Sequence, residues 1–138
     1  MSWLVDTDVL SQGARKNPVI VAWIKAEYTR CYTSSVVIAQ LGYWVRTKQG
    51  RQRAALQEWL SRLVRTLEGR IYGFSVSIAF TWADLRYQMV KAGKPMPIED
   101  SYIAATALRH NLTIVTGNER DFRRHGIKVF NPFKELPL

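Results

Sequence analysis

Short apolar runs of three to five residues alternate along this chain with longer stretches whose apolar residues recur at helical spacing, and few folds accept that alternation. Trp3-Leu4-Val5 is stopped by Asp6-Thr7-Asp8, as in a buried strand with a polar end. Residues 112–116, Leu-Thr-Ile-Val-Thr, are rich in β-branched side chains and form the clearest strand. Residues 31–34, 71–74 and 127–130 read as further strands. Between them lie the helical segments. Residues 19–27 follow Pro18, which suits a first helical turn. Residues 35–48 carry Val37, Leu41, Trp44 and Val45 at helical spacing, and Leu56, Trp59, Leu60, Leu63, Val64 and Leu67 mark the face of a helix ending near Gly69. Val76, Ala79, Phe80, Ala83, Tyr87 and Val90 form the next stripe, broken at Gly93–Pro97. Helix resumes over 98–109, stops at His110-Asn111, and returns briefly over 118–124. This order implies an α/β fold with a mainly parallel sheet. No strand signal separates the two helices within 35–68. That pair either projects as an arm with its stripe toward a second subunit, or packs on the sheet.

The length, 138 residues, suits one domain, and no repeat, linker or low-complexity stretch divides it. No apolar run approaches the roughly 20 residues of a membrane helix, and the first residues lack the form of a signal peptide. Cys31 is the lone cysteine, which excludes an internal disulfide and a cysteine metal cluster and favours a cytoplasmic setting. The net charge of +9 suits a polyanionic partner, because neutralised phosphates release counterions. An acidic protein surface would satisfy the same charge. No GxGxxG, P-loop or nucleophile pattern occurs. His110 and His125 follow helix ends and read as surface residues; the tryptophans read as packing.

Three acids fall near the carboxyl ends of strands, where α/β sheets hold ligands: Asp6, Asp100 and Asp121. Each has a structural role open to it. Asp6 suits an Asx turn, Asp100 with Glu99 suits a helix N-terminus, and Asn118 with Asp121 suits a capped helix start. Their coincidence in a basic chain points elsewhere, since carboxylates that a fold gathers together usually bind a cation.

Several stretches resemble the PIN-domain ribonucleases, and among them the VapC/FitB-like toxins of bacterial toxin–antitoxin pairs. Residues 4–11, Leu-Val-Asp-Thr-Asp-Val-Leu-Ser, are similar to the family's LLDTNVLS start. Residues 98–107 resemble its DALIAATA helix, residues 112–122 its LTLVTRNxxDF segment, and residues 129–133 its LLNPW ending. The pieces stand in the family's order and span nearly the whole chain.

The resemblance implies a PIN-like three-layer α/β/α sandwich and a Mg²⁺- or Mn²⁺-dependent endoribonuclease. It assigns metal-ligand roles to Asp6, Asp100 and Asp121, with Thr116 and Asn118 beside them. The family's remaining acid is a glutamate in a stretch like SVVTLAEL; here Ser35–Leu41 carries Gln40 in its place. Asp8 stands where asparagine is usual and Gly117 where arginine is frequent. On an extended chain Asp8, two residues from Asp6, would point away from the site. Gln40 borders an apolar stripe, so its amide either bonds to neighbours with no role in chemistry or enters the acidic pocket as a neutral isostere of glutamate. Arg120, Arg123 and Arg124 either hold the RNA backbone or form a solvated helix face. A VapB-like antitoxin whose tail covers the acids, often with a basic side chain, and a homodimer are implied as partners. The missing acid leaves a second function open: an inactive nucleic-acid- or antitoxin-binding module.

Overall fold

The computed structural model describes residues 1–124 and 126–134, so His125 lies outside the described residues. Five parallel strands form the sheet in the order β3-β2-β1-β4-β5: β1 (Trp3–Val5), β2 (Cys31–Ser34), β3 (Ile71–Tyr72), β4 (Thr113–Val115) and β5 (Val129–Phe130). The helices among the described residues are α1 (Thr7–Ala14), α2 (Pro18–Glu27), α3 (Ser35–Arg46), α4 (Gly50–Thr66), α5 (Val76–Lys91), α6 (Ile98–His110) and α7 (Glu119–Phe122). This is the α/β fold that the alternation implied, with every described strand pairing parallel. No helix among the described residues is long and apolar enough to cross a membrane.

The order of the strands places the site. From β1 the chain builds outward to β2 and β3, then returns to the other side of β1 for β4 and β5. The reversal falls between β1 and β4, whose register pairs Val5 with Val115. A crevice opens outside the carboxyl ends of strands at such a switch point. The residues leaving those two ends are Asp6 and Thr116.

Local chemistry fixes the elements around it. Both faces of β1 are covered, and Leu4 and Val5 are fully buried, as parallel strands between helices are. Ser34 caps α3 by accepting from the Val37 amide at 3.3 Å, and Ser75 caps α5 through Ile78 at 3.2 Å. Helix α6 buries Ser101 and Ile103–Ala107; its small residues let it lie close to neighbouring layers. It ends at Asn111 in the left-handed conformation, φ 53°, which asparagine tolerates.

Two sequence expectations change, and the open choice for α4 falls to packing. Residues 7–14 are helical, where the sequence showed only a polar strand end; Asp6 accepts from the Thr7 amide at 2.8 Å and starts the helix. The α4 stripe is not turned to a second subunit: Leu60 is buried in the core, Leu56, Trp59 and Leu63 pack against it, and Trp59 meets Trp44 edge to face. On α5 the packing stripe is Ile78, Trp82, Leu85 and Met89, and the stripe legible in the sequence lies outside, with Val76, Phe80, Tyr87 and Val90 all exposed. A helix with two apolar stripes gives periodicity no basis for choosing between them.

Candidate active site

Asp6 is the centre of the crevice. Its Oδ1 accepts from the Thr7 amide and its Oδ2 from the Thr116 hydroxyl, each at 2.8 Å. The Thr116 hydroxyl in turn accepts from the Asn118 amide at 3.0 Å, so one fully buried threonine ties the end of β1 to the turn after β4. Burial pushes the Asp6 carboxyl up to about 7, and the negative Asp8 beside it adds to the rise. The donors from Thr7 and Thr116 oppose that shift without cancelling it.

Asp8 belongs to this cluster, contrary to the extended-chain expectation. Helix α1 begins at Thr7, so the backbone turns and carries Asp8 inward. Its Oδ2 accepts from the Gly117 amide and its Oδ1 from the Val9 amide, each at 2.8 Å. Burial raises its pKa above the ordinary aspartate value as well. The same geometry accounts for Gly117. A β-carbon there would sit 2.9 Å from Asp8 Oδ2 and 3.0 Å from the Phe133 ring, closer than real contacts allow. Two departures from the family pattern, Asp8 and Gly117, thus occupy one space.

Asp100 enters from the first turn of α6. Burial raises its carboxyl to about 6, with Asp121, Glu99 and Asp8 contributing in that order. Asn118 lies between Asp100 and Asp121: its Nδ2 is 3.5 Å from Asp100 Oδ2 and 3.2 Å from Asp121 Oδ2. Its side chain makes no capping bond to α7, so the simple helix-cap reading of Asn118 does not hold. Gln40 accepts from the Thr7 hydroxyl and donates from Nε2 to Glu99 Oε1 at 3.3 Å. Its amide is satisfied inside the cleft, and Glu99, a helix-start acid by sequence, becomes part of the site.

The cleft holds about 620 Å³ and is lined by acids, by Gln40 and Asn118, and by Tyr43. Asp6 and Asp100 form its walls, whereas Asp121 reaches it through Asn118 and faces a neighbouring groove. Among the described residues no three acids, histidines or cysteines close into a cage for one ion. The donor set still fits a hard cation of the Mg²⁺ kind, which keeps most of its waters and needs only one or two carboxylates. Carboxylates whose pKa is raised by burial and mutual repulsion are groups that a cation would relieve.

The three arginines separate. Arg124 is folded back, with Nε donating to the Asp121 carbonyl at 2.7 Å and Nη1 to the Lys94 carbonyl, so it stitches α7 to the break before α6. Arg123 pairs with Glu119 at 2.6 Å. Arg120 is exposed beside the neighbouring groove.

Residues 3–128 match the family model described as PIN domain. This chain belongs to the PIN-domain family. It is 33% identical to Toxin FitB of Neisseria gonorrhoeae, covering 96% of this chain and 99% of the relative. It is 29% identical to VapC ribonuclease Y4jK of Sinorhizobium fredii, covering 95% and 97%. Among solved structures, FitAcB from Neisseria gonorrhoeae superposes with a TM-score of 0.88 at 32% identity, covering 96% of this PIN domain and 99% of that chain.

Of the residues expected from the sequence, the structure of this PIN domain brings Asp6, Asp100, Thr116, Asn118 and Gln40 together and leaves Asp121 behind Asn118; it adds Asp8, Glu99 and Tyr43, which sequence reasoning did not place there. For Asp8 a signal existed, since Asp6 followed by Thr7 and an apolar pair is a helix start. For Glu99 and Tyr43 none did, because their placement depends on how α3 meets α6.

Proposed function

We propose that this PIN domain is a divalent-metal-dependent endoribonuclease of the toxin type, restrained by a VapB-like antitoxin. The observation that carries the reading is the gathering of Asp6, Asp8 and Asp100 at the switch point, with Asn118 joining Asp121 to them. It is supported by the likeness to a toxin and to a relative called a ribonuclease.

Mg²⁺ or Mn²⁺ bound there supplies an activated water and stabilises charge on the phosphate. The chain's residues prepare the place. Thr116 and the Thr7 amide fix the Asp6 carboxylate in one orientation. Asn118 bridges the two further acids, its amide donating to Asp121 at 3.2 Å and to Asp100 at 3.5 Å. Asp6 and Asp100, raised to about 7 and about 6, would hold the ion, and holding it would require their ionised forms. The +9 charge of the chain draws the RNA backbone toward an acidic cleft that would otherwise repel it.

Gln40 favours one refinement. Its amide donates to Glu99 instead of adding a fifth charge to Asp6, Asp8, Glu99 and Asp100, so this copy binds its ion more weakly than a glutamate-bearing one. The homodimer draws on α5. Its exposed residues Val76, Phe80, Ala83, Tyr87 and Val90 step by four and three in turn, and two antiparallel copies crossing at Ala83 set Val76 against Val90 and Phe80 against Tyr87. Such a self-complementary stripe suits a two-fold interface.

The test is cleavage of single-stranded RNA with Mn²⁺ or Mg²⁺, with and without chelator, by the native chain and its Gln40→Glu and Asp100→Asn variants. Metal-dependent cleavage, enhanced in Gln40→Glu and lost in Asp100→Asn, is expected. Absence of cleavage in both the native chain and Gln40→Glu would leave the binding-module reading in its place.

A further inference from the structure

Tyr43 has no structural task. It stands on α3 one turn beyond Gln40, lines the acidic cleft, and is 74% exposed. Its ring makes no aromatic, cationic or hydrogen-bonded contact among the described residues. Exposing a large aromatic surface to water gains the fold nothing. One further turn along the same face lies Arg46, exposed and without an acid partner among the described residues. Read outward from the acids along α3, the chain presents an aromatic ring and then a guanidinium group. Binding tracks for single-stranded nucleic acids combine such rings with positive charge, since every base has a face to stack and every phosphate a charge to neutralise.

We infer that Tyr43 is a base-stacking residue that sets the nucleotide beside the scissile phosphate, and that the RNA strand continues along α3 over Arg46. This rests on the ribonuclease reading and adds to it a direction of entry and a position of contact. Helical rise places residues 40 and 46 about 9 Å apart along the axis, room for one nucleotide between the acids and the first guanidinium. The carboxylates take the metal and the phosphate, the ring takes the base, and Arg46 takes the next phosphate. The stack is tolerant of base identity and favours the bases with the larger faces.

The experiment titrates short single-stranded RNAs, each with 2-aminopurine at a different position and with backbone linkages blocked against hydrolysis, onto the full chain in Mg²⁺ and follows quenching of the probe on stacking. In the native protein one position is quenched most strongly. Tyr43→Ala loses that quench and weakens binding about 5- to 150-fold, whereas Tyr43→Phe, which keeps the ring, retains both. Arg46→Ala flattens the dependence of log affinity on log salt by about 0.7, the value of one phosphate contact on a single strand. Thermal unfolding of Tyr43→Ala is unchanged, because the side chain is exposed. Equal quenching and affinity in the native protein and Tyr43→Ala would overturn the inference and leave the ribonuclease reading intact. Failure of the native chain to bind any single strand at low salt, with or without Mg²⁺, would remove the ribonuclease reading itself. A Tyr43→Ala variant that binds RNA normally but no longer retains a co-expressed antitoxin would assign the ring to a protein interface and overturn the inference as well.

Discussion

Asp6→Asn isolates the electrostatic cost of the site. The aspartate carboxyl moves from 3.8 to about 7 on folding. That is roughly three units at 1.36 kcal/mol each, so ionised Asp6 costs the metal-free fold roughly 4 kcal/mol. The sign follows from linkage. Between the two values the folded state holds the proton more tightly than the unfolded chain, so stability falls as pH rises from about 4 through about 7. Asparagine removes that dependence. Its carbonyl still accepts from the Thr7 amide, and its amino group faces Thr116 Oγ1. The threonine hydroxyl can then donate to Asp8 Oδ1, 3.4 Å away, so no polar atom is left unpaired. The expected result in chelator is equal stability near pH 3.5 and an advantage for Asp6→Asn of up to about 4 kcal/mol at pH 8, a rise in melting temperature of roughly 12 °C. Added Mg²⁺ should narrow the gap by stabilising the native protein, by about 2.7 kcal/mol at a hundred times its dissociation constant, and close it at about a thousand times, where the gain is about 4.1 kcal/mol. Thermal melts across pH 3.5–8 with and without the ion read this directly. A difference between the two proteins that does not change with pH would refute the argument from burial.

The remaining predictions use the same contacts. Gln40→Glu places a second carboxylate 3.3 Å from Glu99, so it should destabilise the metal-free protein, raise Mn²⁺ affinity and speed RNA cleavage; calorimetric titration and a cleavage assay check it. Gly117→Ala forces a methyl group against Asp8 and Phe133 and should cost about 1–3 kcal/mol in denaturant unfolding, part of it recovered when Phe133→Leu is added. Metal affinity should rise with pH and level off above about 7, as Asp100 and then Asp6 lose their protons; an affinity independent of pH between 5.5 and 8 would contradict the raised values. Phe80→Glu should convert a dimer to a monomer in sedimentation at micromolar concentration while leaving the melting temperature of the protomer unchanged, since Phe80 is 72% exposed.

The sequence by itself determined the elements and their order. A β-branched run cannot be mistaken for a helical stripe, and the acids that end β1 and begin α6 follow from where those runs stop. Asp6 and Asp100 were legible as candidates because each sits within a residue or two of an element boundary, where local rules are strongest; Thr116 and Asn118 were reached only through the family resemblance. Residues whose roles depend on distant neighbours were not legible. Asp8 meets Gly117 across 109 positions and Gln40 meets Glu99 across 59, and nothing in a window of one or two turns records those distances. Arg124 looked like a free cation until α7 packed beside Lys94 and Pro95, whose carbonyls its guanidinium now serves. Helix α5 offered two apolar stripes, and only the docking of α6 decided that Ile78, Trp82, Leu85 and Met89 face inward while Phe80 and Tyr87 face water. Periodicity fixes which residues share a face; which face meets the core is settled by the surfaces that other elements have left uncovered.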